Sequence, residues 1–216
     1  QVIRSKNWAW TTVINGSHVK DRINRISTTL KNTSYQIEED SPLRLRFREG
    51  GSQYDIYAVR SAGIDPATGQ EIFIDRNGEY TFRYDADDEV VVGNTQPKLQ
   101  GTWLNTLRYK GWSLNLVFSY KFGGDTYNKT LWSKVEDIDP RYNVDARAFT
   151  DRWKRPGDLS RFLAIKEIRP EDSSYSSERF VERLNELWLS SAMLTYEFQA
   201  KFLKRIGFKR LAIGVG

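Results

Sequence analysis

The chain of 216 residues has no cysteine, one histidine and one methionine. Without cysteine there is neither a disulfide framework nor a thiolate metal site. The single imidazole, His18, has no second histidine to complete a zinc site and no partners for a triad, and it reads as a loop residue beside Gly16 and Ser17. No stretch sustains the roughly 18 apolar residues of a membrane-spanning helix. Charge of one sign is not massed either: the net +5 comes from Lys and Arg scattered among Asp and Glu. A nucleic-acid partner, which needs a clustered basic face, is therefore not expected. No constellation for bond chemistry emerges, and the expectation is a protein that is not an enzyme and has no cofactor.

Aromatic residues, by contrast, are abundant at 13%, beside 39% apolar and 28% charged residues. That balance is too wet for a helical membrane protein and rich in rings for a soluble one. A membrane barrel reconciles the two, because only alternate strand residues meet lipid while long polar loops meet water. A carbohydrate-binding surface β-sandwich would also do so, and composition leaves the two level.

Patterning separates them. From Trp112 to Phe122, Trp112, Leu114, Leu116, Phe118, Tyr120 and Phe122 alternate with Ser113, Asn115, Val117, Ser119 and Lys121. Period two over that length fits a tilted spanning strand with aromatic rims. Lys110-Gly111 ahead of it reads as a tight turn, with glycine supplying positive φ. Leu99 to Tyr109 reads as the partner strand, with Trp103, Leu107 and Tyr109 on its outer face and Gly101 and Asn105 interrupting that face. Spanning strands are expected near residues 7–14, 99–109, 112–122, 187–199 and 208–216. The links at 110–111 and about 200–207 are short, whereas those over 15–98 and 123–187 are long, as for periplasmic turns and extracellular loops. Five strands cannot close a barrel, and an open edge is not tolerated in lipid. The chain also ends at Ile213-Gly214-Val215-Gly216, within what reads as a strand, and Gln1 to Lys6 lacks an apolar signal core. A piece of a longer polypeptide is the expectation.

Within the first loop, Val19, Ile23, Ile26 and Leu30 have helical spacing, with Ser17 as cap. Short strands are expected over Tyr54 to Arg60, Glu71 to Asp75 and Glu79 to Tyr84. Asp65-Pro-Ala-Thr-Gly69 reads as a structural turn, as does Arg76-Asn77-Gly78. The run Asp85-Ala-Asp-Asp-Glu89 admits either calcium at an extracellular acidic loop or a solvated turn, without the spacing and glycine of an EF-hand. In Arg152-Trp-Lys-Arg-Pro-Gly-Asp158, Arg and Trp would either stack on a sugar or partner, or pack the loop internally. Candidate ligand or lipoprotein contacts are Tyr127, Trp132, Tyr142, Arg152 and Trp153. Candidate lumen-facing residues are Ser113, Asn115, Ser119, Lys121, Thr195 and Glu197.

Several stretches in order resemble one family, the SusC/RagA-type TonB-dependent outer-membrane transporters. They are Arg48-Glu-Gly-Gly-Ser52 with Tyr57, Ala62-Gly-Ile-Asp-Pro-Ala-Thr-Gly69, and Val92-Gly-Asn-Thr-Gln-Pro-Lys98. Tyr109-Lys-Gly-Trp-Ser-Leu114 follows, then Gly123-Gly124 with Tyr127-Asn128, Arg152 to Asp158, Ser176-Ser-Glu-Arg-Phe-Val-Glu182, and Leu187 to Tyr196. The family's final strand ending in an aromatic residue is missing, as is the proline often found after Tyr196. The resemblance implies an all-β antiparallel segment of a larger transmembrane barrel in the bacterial outer membrane. It further implies coupling to TonB through an unseen N-terminal part, a SusD-like surface lipoprotein as partner, and uptake of oligosaccharide or peptide. Which ligand is carried does not follow from these residues.

Overall fold

The computed structural model describes residues 3–28, 35–36, 44–138, 143–165, 175–198, 207 and 211–216. Its strands are β1 (Ile3–Arg4), β2 (Trp8–Ser17), β3 (Tyr35–Gln36), β4 (Arg44–Leu45), β5 (Asp55–Ala58), β6 (Arg60–Ile64) and β7 (Glu71–Ile74). They continue with β8 (Tyr80–Thr81), β9 (Val90–Asn94), β10 (Leu99–Tyr109), β11 (Trp112–Tyr127), β12 (Val181–Glu197) and β13 (Ala212–Val215). The chain divides into two compact units, one formed by residues 1–19, 97–123 and 184–216, the other by 20–96 and 124–183. No helix is long and apolar enough to cross a membrane among the described residues.

The first unit is built on one six-stranded sheet, ordered β1-β2-β10-β11-β12-β13 and open at both edges. The short β1, pairing Ile3 with Trp10, is a sixth strand beyond the five read from the sequence. Three of the long strands exceed their expected bounds: β2 runs on to Ser17, β11 to Tyr127, and β12 begins at Val181. Residues 199–206 and 208–210, which include most of the short link and the start of the last expected strand, lie outside the described residues.

The β10–β11 hairpin turns at Lys110-Gly111 with Tyr109 opposite Trp112. Here the structure corrects the sequence reading, because the residue with left-handed φ is Lys110, at +52°, rather than Gly111. Glycine is needed at 111 for close approach. A Cβ there would lie 2.6 Å from the Glu197 carbonyl oxygen and 2.9 Å from the Tyr196 ring. The Gly111 carbonyl meanwhile accepts from the Glu197 N–H at 2.8 Å. Lys110→Gly is thus expected to stabilise the chain by about 0.5–1 kcal/mol, by relieving left-handed strain. Gly111→Ala is expected to destabilise it by about 1–3 kcal/mol through overpacking. Urea unfolding of the two variants in detergent checks the opposite signs.

The second unit carries the buried apolar residues. Leu131, Trp132, Val135, Phe162 and Phe180 form its core, with Tyr127 packed against them. Strands β5 and β9 pair, and β6, β7 and β8 form a three-stranded sheet. β9 falls in a stretch read from sequence only as the approach to the next long strand. The helical turn expected over Val19 to Leu30 does not form over residues 19–27, with Thr28 the one helical residue among the described part of that stretch, and Ser17 ends β2 instead of capping a helix. The backbone there bonds elsewhere: Ile23 N–H donates to Gly51 O, and Gly50 N–H to Ile23 O, both at 2.8 Å. Asp21 accepts from Ser52 Oγ at 2.6 Å and Gln53 N–H at 2.9 Å. These bonds satisfy groups that a helix would have used internally. Leu30 lies outside the described residues.

Candidate membrane interface and polar face

Register alone sorts the first unit's sheet into two chemically distinct faces. Cross-strand partners Trp8–Tyr109–Trp112, Trp10–Leu107–Leu114, Ile14–Trp103–Phe118 and Leu99–Phe122 share one face. The other carries the polar rows Thr11–Thr106–Asn115, Asn15–Thr102–Ser119 and Gln100–Lys121, with one apolar row, Val13–Leu104–Val117, between the first two. Among the described residues, all the buried apolar ones belong to the second unit. The apolar face therefore lies open: Trp8 is 50% exposed, Ile14 66% and Trp112 48%. A soluble sheet would bury such a face against a second layer.

Aromatic rings cross one end of this face in a belt over four strands. Trp8 lies 4.5 Å from Tyr109, and Trp112 lies 4.7 Å from Tyr196, itself 5.0 Å from Phe198. Tyr120 and Phe122 stack at 5.6 Å towards the opposite end. From Trp112 to Phe122 the strand advances about 34 Å, at ~3.4 Å per residue. A tilt near 45° turns that into roughly 24 Å of height, matching the ~25 Å apolar band of outer-membrane barrels.

The two interruptions seen in the sequence have physical reasons. Gly101 sits opposite Gly16, and the Tyr120 ring spans this notch so that its hydroxyl donates to the Asn15 carbonyl at 2.9 Å. A Cβ on Gly101 would lie 2.7 Å from that hydroxyl. Asn105, opposite Thr12, accepts from Trp10 Nε1 at 3.2 Å, while Thr12 Oγ1 accepts from Trp103 Nε1 at 2.7 Å. The polar pair satisfies two indole N–H groups that would otherwise be unpaired on an apolar surface.

On the polar face, Ser113, Asn115, Ser119 and Lys121 line up along β11, with Asn115 Oδ1 accepting from Thr106 Oγ1 at 2.9 Å. Thr195, opposite Gly214, and Glu197, opposite Ala212, alternate with Tyr196 and so share their face. Strand β12 is not uniform, however. Ser190 hydrogen-bonds Ser119, and Lys121 Nζ lies 5.5 Å from the Trp188 ring centre, which puts Ser190 and Trp188 on the polar face. Tyr196 meets Trp112 on the apolar one. Unbroken alternation would place 188, 190 and 196 together, so β12 changes register between Ser190 and Tyr196, as at a β-bulge.

The loop aromatics and Arg152 lie within the second unit. Trp132 is buried in the core, and Tyr127 packs on Phe180 with ring centres 5.9 Å apart. Arg152 is buried, donating to the carbonyls of Leu163 at 2.7 Å and of Val135 and Glu136 at 2.8 Å. Trp153 Nε1 donates to the Pro66 carbonyl at 2.9 Å, and its ring covers Gly69, whose φ is +76°. That glycine closes the Asp65–Gly69 turn, in which Asp65 accepts from Thr68 Oγ1 at 2.6 Å and from the Ala67 N–H at 3.1 Å. The Thr68 hydroxyl foremost, with backbone N–H groups, holds the Asp65 carboxyl below its ordinary value. Of the two readings of the Arg-Trp run, the internal one describes these contacts. Tyr142 lies outside the described residues.

His18 hydrogen-bonds through Nδ1 to the Lys98 carbonyl at 2.5 Å, tying the end of β2 to the approach to β10. The acidic run does not converge. Glu89 is buried against Arg46 at 3.0 Å, Asp88 accepts from the Arg76 N–H and Asp85 from that of Asp87. No group of three metal-ligating side chains gathers among the described residues.

No family model matches the chain, and no curated protein does. Solved structures do. A structure of the RagAB peptide transporter matches over 93% of this chain at 18% identity and a TM-score of 0.70. The RagAB peptide importer matches in its "open-open" state at 17% identity and TM-score 0.70, and in its "closed-closed" state at 19% and 0.72, each over the whole chain. The chain spans 22–24% of the length of those chains. At this identity the likeness shows the fold: the chain is folded as a part of such a transporter is, with an antiparallel sheet left open.

Proposed function

We propose that the chain is a section of an outer-membrane β-barrel importer, supplying barrel wall through its sheet and an extracellular unit through its two long connections. The observation that carries this reading is the uncovered apolar face, rimmed by aromatic rings and backed by a polar face that would line the lumen. Ser113, Asn115, Ser119, Lys121, Thr195 and Glu197 are the lumen residues on this reading. Further strands of the parent polypeptide would pair with β1 and β13, since lipid does not tolerate an open edge. Transport without bond chemistry follows, with cargo captured together with a SusD-like surface lipoprotein and released by TonB acting through another part of the polypeptide. Oligosaccharide and peptide both remain cargo classes, and the peptide importers among the structural neighbours favour the second. A sandwich module that binds carbohydrate is the poorer reading, because it would bury the face that carries Trp8, Trp112 and Phe122.

The test is fractionation of membranes from cells making the full polypeptide. Peptides of this chain are expected in the outer-membrane fraction, in a denatured band several times the mass of the 216-residue segment. Recovery in the soluble fraction near 25 kDa would overturn the proposal.

A further inference from the structure

We infer that the belt end of the apolar face, at the turns carrying Lys6 and Lys110, binds the phosphate headgroup of anionic phospholipid. The inference rests on the import reading and names a lipid partner for one rim of its barrel wall. Two hairpin turns lie side by side there. Ser5 N–H donates to Trp8 O at 2.7 Å to close the β1–β2 turn, and Lys110 N–H donates to Asn7 O at 3.0 Å, tying the β10–β11 turn to it. Both lysines are exposed. The cross-strand neighbours Trp8, Tyr109 and Trp112 stand just inside the turns on the apolar face.

Lys110 is the one non-glycine with left-handed φ among the described residues. Glycine or asparagine would sit there with less strain. Strain that persists at such a position points to a task for the side chain. Its ammonium lies 5.1 Å from the centre of the Tyr109 ring, at the level of the belt. A ring face attracts the charge but does not accept its N–H donors as an oxyanion does. No carboxylate answers it either: residues 1–19 and 97–123 contain no Asp or Glu, and Glu197 belongs to the polar face.

The indoles divide by depth. Deeper in the face, Trp10 and Trp103 donate to Asn105 and Thr12. At the belt, no described group accepts from Nε1 of Trp8 or Trp112, and both residues are about half exposed. Indole N–H groups and lysine ammoniums at one level suit an acceptor held at the membrane–water boundary. A phosphodiester is such an acceptor. It takes charge-assisted bonds from an ammonium and bonds from an indole N–H, while its acyl chains run along the apolar face past Leu107 and Leu114.

The experiment titrates dimyristoyl phosphatidylglycerol, beside phosphatidylcholine of the same chains, into the full polypeptide purified in detergent. Native mass spectrometry reads the bound lipid, and glycerol phosphate is the soluble competitor. Phosphatidylglycerol is expected to bind about 25-fold more tightly, at about fivefold for each lysine beside an anionic headgroup. Lys6→Gln with Lys110→Asn should abolish that preference, and Lys110→Arg should keep it. Lys110→Gly should lower it about fivefold while raising stability to urea, opposite signs that separate binding from folding. Lys121→Gln, which removes a charge from the polar face, should leave the preference as it is. Equal affinity for the two lipids, a preference that survives in the double variant, or displacement by glycerol phosphate at the lipid's own concentration would each overturn the inference. The last would mark a site for free phosphate. Fractionation of the same preparations keeps the two readings apart. Outer-membrane protein without a lipid preference sinks the inference alone, whereas recovery in the soluble fraction sinks the import reading and the inference with it.

Discussion

Arg179→Met is expected to cost the unit formed by residues 20–96 and 124–183 about 3–5 kcal/mol, the penalty for leaving buried charges without their partner. One guanidinium faces two carboxylates: Nη2 lies 2.7 Å from Glu71 Oε2 and 2.7 Å from Glu136 Oε1. The side chains are 8% exposed for Arg179, 3% for Glu71 and 0% for Glu136. Nη1 donates to the Arg161 carbonyl at 2.7 Å, Ser177 donates to Glu71, and the Leu163 N–H donates to Glu136 Oε2 at 3.3 Å. Methionine would fill the volume while leaving two negative charges facing each other out of reach of water.

Unfolding of the full polypeptide followed by Trp132 fluorescence, with hydrogen exchange over residues 128–136, reads the loss. An unchanged transition would show that the triad contributes nothing. Adding Glu71→Leu and Glu136→Leu should recover much of the stability, since an apolar cluster of similar volume replaces buried ion pairs at little cost.

The triad also sets a pH dependence. Burial opposes ionisation of Glu71, but attraction to Arg179 and hydrogen bonds from Arg179, Ser177 and Ser61 outweigh it, so its carboxyl is held below the ordinary value. A carboxyl depressed on folding stabilises the native state above the unfolded value of about 4.3. That stabilisation declines as the pH falls through the lower native value. The second unit should therefore lose stability in acid below about pH 4, and Glu71→Gln should flatten that part of the profile.

Local chemistry decides which of these features sequence could disclose. β11 is legible because each of its positions from 112 to 122 is settled by its own residue type and its neighbour two away. The face change in β12 is not, since Ser190-Ser191 suits either face and period-two reading passes through it unbroken. Gly101 and Asn105 look like defects until the Tyr120 hydroxyl and the Trp10 indole are placed against them, and those partners come from other strands. The same holds for the triad: Glu71 and Arg179 are 108 positions apart, Glu136 and Arg179 43, and no local pattern links them. Turns at Asp65–Gly69 and Arg76–Gly78 are readable, because aspartate, asparagine and glycine favour turns locally, although the part of Asp75 in closing the second is not. The loop aromatics were visible as residues but not as contacts, because burial depends on the folding of the whole loop.

Leu116→Arg separates the membrane reading from one in which this face stays open to water. Leu116 lies near the middle of the apolar stretch of β11, with Asn105 opposite. If that face meets hydrocarbon, an arginine at mid-depth costs about 2–4 kcal/mol, whereas a soluble sheet with this exposed face would accept it almost freely. Asn115→Arg, one residue along on the polar face, is the matched control and is expected to change stability by less than about 1 kcal/mol. Urea titration of the full polypeptide in lipid vesicles, with both variants beside the parent, measures the difference. A drop confined to Leu116→Arg assigns the apolar face to lipid, with Lys121 and Glu197 on the watered side. Equal stability of the two variants would mean that the rings of Trp8, Tyr109, Trp112 and Tyr196 rim something other than a bilayer.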